Sequence, residues 1–489
     1  MLMPEMLARM GSGGFRTVRR GDMDEQERFV MRIGAETGQL EGALFVSRDR
    51  PGYSDGGYVT GFRQRDGDRW SVHVRLPETR HYTLAVRCAA DTRRICHLLV
   101  NGADVGMCVV AGDGIFHEVR FPAIWLEKGE AELSVLESWG WFDLDRIDVY
   151  TGERLPSTLY RGKPGEPVNP GAGDKTRRIL QYLTENYGKQ TLAGQYANHG
   201  SNREIEALYA LTGAYPAIRG FDFIQDCPVY GGVGRDTALA ADWSRAGGLV
   251  TFSWHWAAPL HGAGFYTKNT RWDLNDAMTD ESVALLSPPE IGRLRRQGRI
   301  SEETALLVRD IDAISERLKI LRDQGVTVLW RPLHEASGGW FWWGSRGPEA
   351  YRWLWRLLYT RQTVFHRLDN LLWVWNGEDA AWYVGDDWCD ILGEDIYTLP
   401  QNTDAQAKRL ADTAAISAAK PVAMTEAGVM PDPVRMARDG VFWSWFTVWC
   451  REFIVDAEGR ATGTYTDLGT IQTVYKSDMV ITLDKLPVF

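Results

Sequence analysis

Between about residues 30 and 150, apolar and polar positions alternate in short runs: "RWSVHVRL" (69–76), "HYTLAVRC" (81–88), "ICHLLVNG" (95–102), "IFHEVRF" (115–121) and "AELSVLES" (131–138), separated by Gly, Asp and Asn. A period of two puts one face on a core and the other in water, and turn residues at these intervals predict an all-β sandwich of jelly-roll type. The alternation lapses over 153–173, where "ERLPSTLYRGKPGEPVNPGAG" is rich in Pro and Gly and reads as a linker. Strand-like runs then alternate with helical stretches: "TLAGQYA" (191–197), "AYPAIRGFDF" (214–223), "GLVTFSWH" (248–255), "VTVLWRPLHE" (326–335), "NLLWVWN" (370–376), "DILGEDIY" (390–397), "PVAMTEAG" (421–428) and "FWSWFTVWC" (442–450). Amphipathic segments such as 301–325 lie between them, so the pattern predicts a (β/α)8 barrel. The expected chain is multidomain, with a sandwich over 25–152, a linker over 153–173 and a barrel over 174–489.

Length agrees with this division, since 489 residues exceed what a single core of up to ~300 residues holds. The chain has 21 Trp, a surplus that points to ligand-binding surface as well as core. A net charge of −10 opposes nucleic-acid binding, which requires a basic face, and favours a neutral ligand. No apolar run of the ~18 residues that a membrane span needs is present. The stretch "MLMPEMLARMGSGG" lacks the features of a signal peptide. Three of the six cysteines fall on each side of residue 150, so they cannot all pair within their own domains, which favours free thiols and a reducing compartment. A cytoplasmic monomer is the expectation, or a secreted protein if a leader precedes this chain.

Two glutamates share a structural address: Glu335 closes the fourth barrel strand and Glu426 lies near the end of the seventh. Carboxylates at opposed strand ends could stand ~5–5.5 Å apart, the spacing that retaining glycoside hydrolysis needs for an acid/base and a nucleophile. The surrounding sequence, "WRPLHEASGGWFWWG" (330–344), supplies apolar walls that would raise the pKa of a general acid. Trp340 is a candidate platform for a sugar ring, while Trp342 and Trp343 fit core or platform equally. "HEASG" lacks the second His of a zinc HExxH site, and His255 and His261 have no evident third partner.

The segments "RPLHE…GGWFWWG" and "TEAG" resemble glycoside hydrolase family 26, best known for β-1,4-mannanases, over roughly 172–489. The resemblance implies Glu335 as acid/base and Glu426 as nucleophile, with His334 preceding the acid. It implies substrate-binding roles for His334, for His255 in "TFSWHWAAP" and for Asp395 and Tyr397 in "EDIY", with Tyr397 hydrogen-bonding the nucleophile, and an eighth-strand platform from Trp449, with Trp445 an alternative. Cys450 stands where relatives often carry an Arg for a further mannose. Residues 30–150 resemble carbohydrate-binding module family 35 through "AETG", "GYSDGGYV" and "FDLDRIDVY". That likeness implies a structural Ca²⁺ held by Glu36 and Asp145, with Gly34 in place of a usual Glu, and offers Trp139 and Trp141 as sugar platform or sandwich core.

Together these features imply a retaining endo-β-1,4-mannanase (mannan endo-1,4-β-mannosidase) that needs no cofactor for catalysis and binds β-mannan-type polysaccharide. Another β-glycanase, acting on β-1,3-xylan or mixed-linkage β-glucan, and a non-catalytic polysaccharide-binding protein are the alternatives. The module is expected to add affinity for polymer without altering turnover on short oligosaccharides.

Overall fold

The computed structural model describes residues 27–62, 67–232 and 234–489. The N-terminal stretch on which the reading of a leader rests, and the first two residues of the expected module, lie outside them. Among the described residues no helix is long and apolar enough to cross a membrane.

Each of the eight expected barrel runs forms a strand: β1 (Thr191–Tyr196), β2 (Ile218–Asp222), β3 (Leu249–Ser253), β4 (Val328–Arg331), β5 (Leu371–Trp375), β6 (Ile391–Ile396), β7 (Val422–Ala427) and β8 (Trp445–Val448). Neighbours pair in parallel, and β1 pairs with both β2 and β8, closing the barrel. Sequences such as LLWVW in β5 are apolar at every position because helices cover one face and the barrel interior the other. The intervening helix Glu302–Asp323 begins at Ser301, whose hydroxyl accepts the Thr304 N–H at 3.0 Å. It buries Leu307, Ile311, Ile314, Leu318 and Leu321 at helical spacing. Residues from the first half of each strand, among them Leu192, Leu249, Leu329 and Trp445, form one cluster with Ile179, Leu180 and Leu183 of helix Asp174–Asn186. That cluster seals the N-terminal end, so chemistry is confined to the mouth formed by the C-terminal strand ends.

The N-terminal unit is a sandwich of two antiparallel sheets. One contains Arg80–Ala89, His117–Leu126 and Asp143–Thr151; the other contains Arg69–Leu76, Arg94–Val100, Ala103–Val110 and Gly129–Trp139. Its edge strands Ala103–Val110 and His117–Leu126 lie against the barrel helix Ala407–Ile416. The Asp104 carbonyl, on one of these edges, accepts from the side-chain amides of Asn402 at 2.7 Å and Gln406 at 3.0 Å. Lys408 sits 5.2 Å above the Phe121 ring, and His81 meets Asp439 at 2.9 Å. Edges left open would template association with other chains; here the barrel covers them.

The Pro- and Gly-rich stretch is also tied down. Some of its backbone groups pair within the stretch, as the Leu159 N–H does with the Pro156 carbonyl at 3.1 Å, and barrel loops satisfy others. Leu155 N–H bonds the Asp439 carbonyl at 2.8 Å, and Val168 N–H bonds the Asp390 carboxylate at 2.7 Å. The buried Tyr160 hydroxyl donates to the Gly440 carbonyl at 2.6 Å and accepts the Phe442 N–H at 3.0 Å. All six cysteines are buried and free; Cys88, Cys96 and Cys108 meet in the sandwich core with sulfurs within 4.8 Å of one another.

Tyr160→Phe removes one hydroxyl and strands two backbone groups. It should cost ~1–3 kcal/mol in denaturant unfolding, and an unchanged midpoint would show that this clasp contributes nothing.

Candidate active site

After β4 the chain passes through two left-handed non-glycine residues, Leu333 (φ 54°) and Glu335 (φ 52°). Such backbone is strained and persists only where its surroundings hold it. Here the Asn376 carbonyl, just past β5, accepts the Glu335 N–H at 2.8 Å. The turn delivers the Glu335 carboxyl over the barrel mouth. Between β6 and β7 the register slips at Glu394/Asp395, which sets Asp395 beside Glu426. Carboxylate oxygens of Glu335, Asp395 and Glu426 all lie within 4.8 Å of one another.

Three acids this close require a counter-charge, and Arg331, the last residue of β4 and 0% exposed, supplies it. Its guanidinium donates to Asp395 at 2.6 Å, to Glu426, and to the Asn376 side-chain oxygen at 3.0 Å. The Tyr397 hydroxyl donates to the other Glu426 oxygen. Asp395 also accepts from Thr425 at 2.7 Å, and burial pushes its pKa up to about 7 against the pull of Arg331. Glu335 receives no such cation. Burial, then the negative charges of Asp395, Glu426 and Glu378, hold its carboxyl well above the usual range. Glu335 is therefore poised to give a proton, while Glu426 is held in place by hydrogen bonds from Arg331 and Tyr397.

The aromatic residues divide by exposure. Trp340 is 43% exposed and its indole N–H donates to Glu335 at 2.9 Å. Trp342 and Trp343 are fully buried, bonded to the carbonyls of Trp256 at 2.6 Å and His334 at 2.8 Å; both are core. Trp445 is core as well, at the sealed end of the barrel, which removes it as a sugar platform. Trp449, half-buried, stands 4.8 Å from Tyr196 at the mouth. His255 is bonded to Asp222; burial would raise the Asp222 pKa, but His255 and its neighbours pull it down. The His334 ring packs 4.6 Å from His255 and 5.0 Å from Phe341, almost wholly buried. Burial, then the charges of Arg331 and His255, lower its pKa well below normal, so it is a neutral wall beneath His255 rather than an open contact.

Two cavities open at this end of the barrel. One, about 240 Å³, is lined by Tyr196, His255, Tyr266, Trp449 and Arg451. The other, about 590 Å³, is lined by Glu335, Trp340, Glu378, Asp395 and Tyr397. The loop after β3 shapes both, because Thr267 N–H bonds the Trp340 carbonyl at 2.8 Å and Trp342 N–H the Phe265 carbonyl at 3.1 Å. Sequence reading assigned no role to Arg331, Asp222, Asn376, Glu378 or Tyr266. All but Tyr266 stand at or just beyond strand ends, a position that would have marked them. Glu378 (φ 62°) is pushed up to about 8 by burial and then by Glu394.

In the sandwich, Asp145 is fully buried. Its carboxylate accepts from Ser54 N–H at 2.7 Å, the Ser54 hydroxyl at 3.0 Å, and the guanidinium groups of Arg87 and Arg146. Glu36 accepts the Gly56 N–H at 3.2 Å and leaves its second oxygen buried without a partner. Ca²⁺ takes about six to eight oxygen ligands. Glu36 and Asp145 do not fit such a cage, because two arginines already neutralise Asp145. Trp141 is 67% exposed, so it is not sandwich core. Trp139 ends the strand Gly129–Trp139, and its side chain is not among those described.

Residues 168–485 match the sequence profile of glycosyl hydrolase family 26. The chain belongs to that family. Residues 31–152 match carbohydrate-binding module family 35. The family 26 chain is 34% identical to a mannan endo-1,4-beta-mannosidase of Thermothelomyces thermophilus, covering 92% of this chain and 89% of that protein. It is 30% identical to mannan endo-1,4-beta-mannosidase A of Piromyces, covering 93% and 72%. Among solved structures, a GH26-CBM35 beta-(1,4)-mannanase of Podospora anserina aligns at 30% identity and a TM-score of 0.60, over 93% of this chain and 98% of that one.

Trp340→Ala should cut kcat/KM on oligosaccharides by about 10²-fold through misplacement of the sugar while barely shifting the melting temperature. Trp342→Ala should lose ~3–5 kcal/mol of stability. Similar thermal losses in the two variants would refute the division between platform and core. The pH profile gives a second check. Glu335 must be protonated to act, and its pKa is raised, so kcat/KM on oligosaccharides should persist above the ~4.3 of an ordinary Glu and fall as pH rises through the raised value. Absence of that alkaline limb on substrates whose leaving group needs no proton would support the assignment; an identical limb would contradict it.

Proposed function

We propose that this glycoside hydrolase is an endo-acting, retaining β-1,4-mannanase that cleaves β-mannan, galactomannan or glucomannan backbones. The observation that carries the reading is the opposed pair Glu335 and Glu426 at retaining separation, one with a raised pKa and one held by Arg331 and Tyr397. The names of the relatives support mannan as the substrate.

Glu426 attacks the anomeric carbon while Glu335 delivers its proton to the departing glycosidic oxygen. Arg331 and Tyr397 keep the Glu426 oxygens aimed and must be released in part as one of them becomes an ester oxygen. Loss of the Glu335 proton places a second negative charge near Asp395, whose carboxyl, titrating about pH 7, can lessen the repulsion. Glu335, now a base, takes a proton from water, which opens the glycosyl ester and restores the starting charges. His255 and Trp449 line the cavity for the sugar that is attacked. Cys450 is buried, but Arg451 lines the same cavity and reaches the Asn198 side chain at 3.1 Å, so a guanidinium stands at the glycone end one residue further on.

Glu426→Ala opens room for a small anion on the face opposite the leaving group. Azide should therefore rescue it with inverted configuration, whereas azide rescue of Glu335→Ala on an activated substrate should give a retained product. Retention from Glu426→Ala would reverse the assignment. Digestion of mannan, β-1,3-xylan and mixed-linkage β-glucan, with product sizes recorded, should yield short oligosaccharides from mannan alone; release of monosaccharide only would refute endo action.

A further inference from the structure

On the outward face of a sandwich strand, polar residues are expected. Strands Arg94–Val100 and Ala103–Val110 depart from this: Ile95 and His97 on one, and Met107 and Val109 on the other, point away from the sandwich core. They pair across the strands, Ile95 with Val109 and His97 with Met107, into a single patch. Val109 is 41% exposed. All four line the 590 Å³ cavity that also contains Glu335 and Trp340. The patch is therefore one wall of the active-site cleft and the barrel is the other. Arg93 fixes the rim by pairing with Asp379 of the barrel at 3.3 Å.

The chemistry gives this wall a direction. An acid that protonates the departing oxygen faces the leaving-group sugar, so the cavity beyond Glu335 receives the departing half of the chain, while the Trp449 cavity holds the half being attacked. Sugar rings present apolar faces, and an apolar patch with a polar rim is a surface built to bind. We propose that the module binds the leaving-group end of the substrate directly, through Ile95, His97, Met107 and Val109, and so forms subsites of the catalytic cleft instead of acting only as a tethered anchor. The track extends outward. Ile95 is in register with Trp139, and Arg94 packs so closely on Gly140 that a Cβ there would lie 2.2 Å from its side chain. The loop that carries the exposed Trp141 thus stands at the outer end of the same wall.

The inference rests on Glu335 being the acid of a mannanase, and its test separates the two claims. Arg93→Ala and Val109→Asp alter exposed module residues that touch neither carboxylate. Each is assayed on mannohexaose, whose leaving half fills the cavity, and on an aryl β-mannobioside, whose leaving group stops beside Glu335. Both variants should lose about tenfold in kcat/KM on the hexaose, equivalent to ~1.4 kcal/mol, shift its cleavage position, and match wild type on the aryl substrate. Unchanged hexaose kinetics in both variants, or an equal loss on both substrates, would overturn the proposal and leave the mannanase reading intact. A wild-type enzyme inert on both substrates would overturn that reading, and the proposal with it.

Discussion

The catalytic mouth depends on one buried cation. Arg331 bridges Asp395 and Glu426 from the end of β4 and braces Asn376 at the same time. Removing one partner from a buried charge cluster leaves the others uncompensated, at a cost of ~3–5 kcal/mol, so these residues stand or fall together. Its placement also creates the asymmetry of the site. The guanidinium reaches Glu426 and Asp395, whereas Glu335, carried away by its left-handed turn, is left with burial and neighbouring negative charge. A single side chain thus separates the roles of two chemically identical residues.

Much of this was legible in the sequence because the barrel repeats a simple pattern. Eight apolar runs gave the eight strands, and the rule that chemistry lies at strand ends picked out Glu335 and Glu426. Residues whose role depends on neighbours distant in sequence were not legible. Arg331 lies within "RPLHE", but nothing in that string shows that its charge will fall between residues 64 and 95 positions away. Trp340, Trp342 and Trp343 are alike in composition and differ only in which way the chain turns after Glu335. Trp445 and Trp449 are four apart on one strand path, yet one seals the barrel floor and the other opens onto the mouth.

The sandwich shows a different limit. Its strands were readable from alternation, but the alternation did not reveal that part of the outward face would become a cleft wall. That assignment needed the docking of edge strands on the Ala407–Ile416 helix. Likewise, likeness to a calcium-holding module gave no warning that Arg87 and Arg146 would occupy the charge environment of Asp145. Arg146 is the next residue in the chain, and Arg87 comes from the strand paired with it.

The pinning of the Asp104 carbonyl by Asn402 and Gln406 has a consequence for how the molecule matures. The two walls of the cleft belong to units with separate hydrophobic cores, so the cleft is complete only where the two are docked. Docking then sets how much chain the cleft grips beyond the break, and a loosened Ala103–Val110 edge would show itself in the length of the fragments released before it showed itself in the speed of bond cleavage.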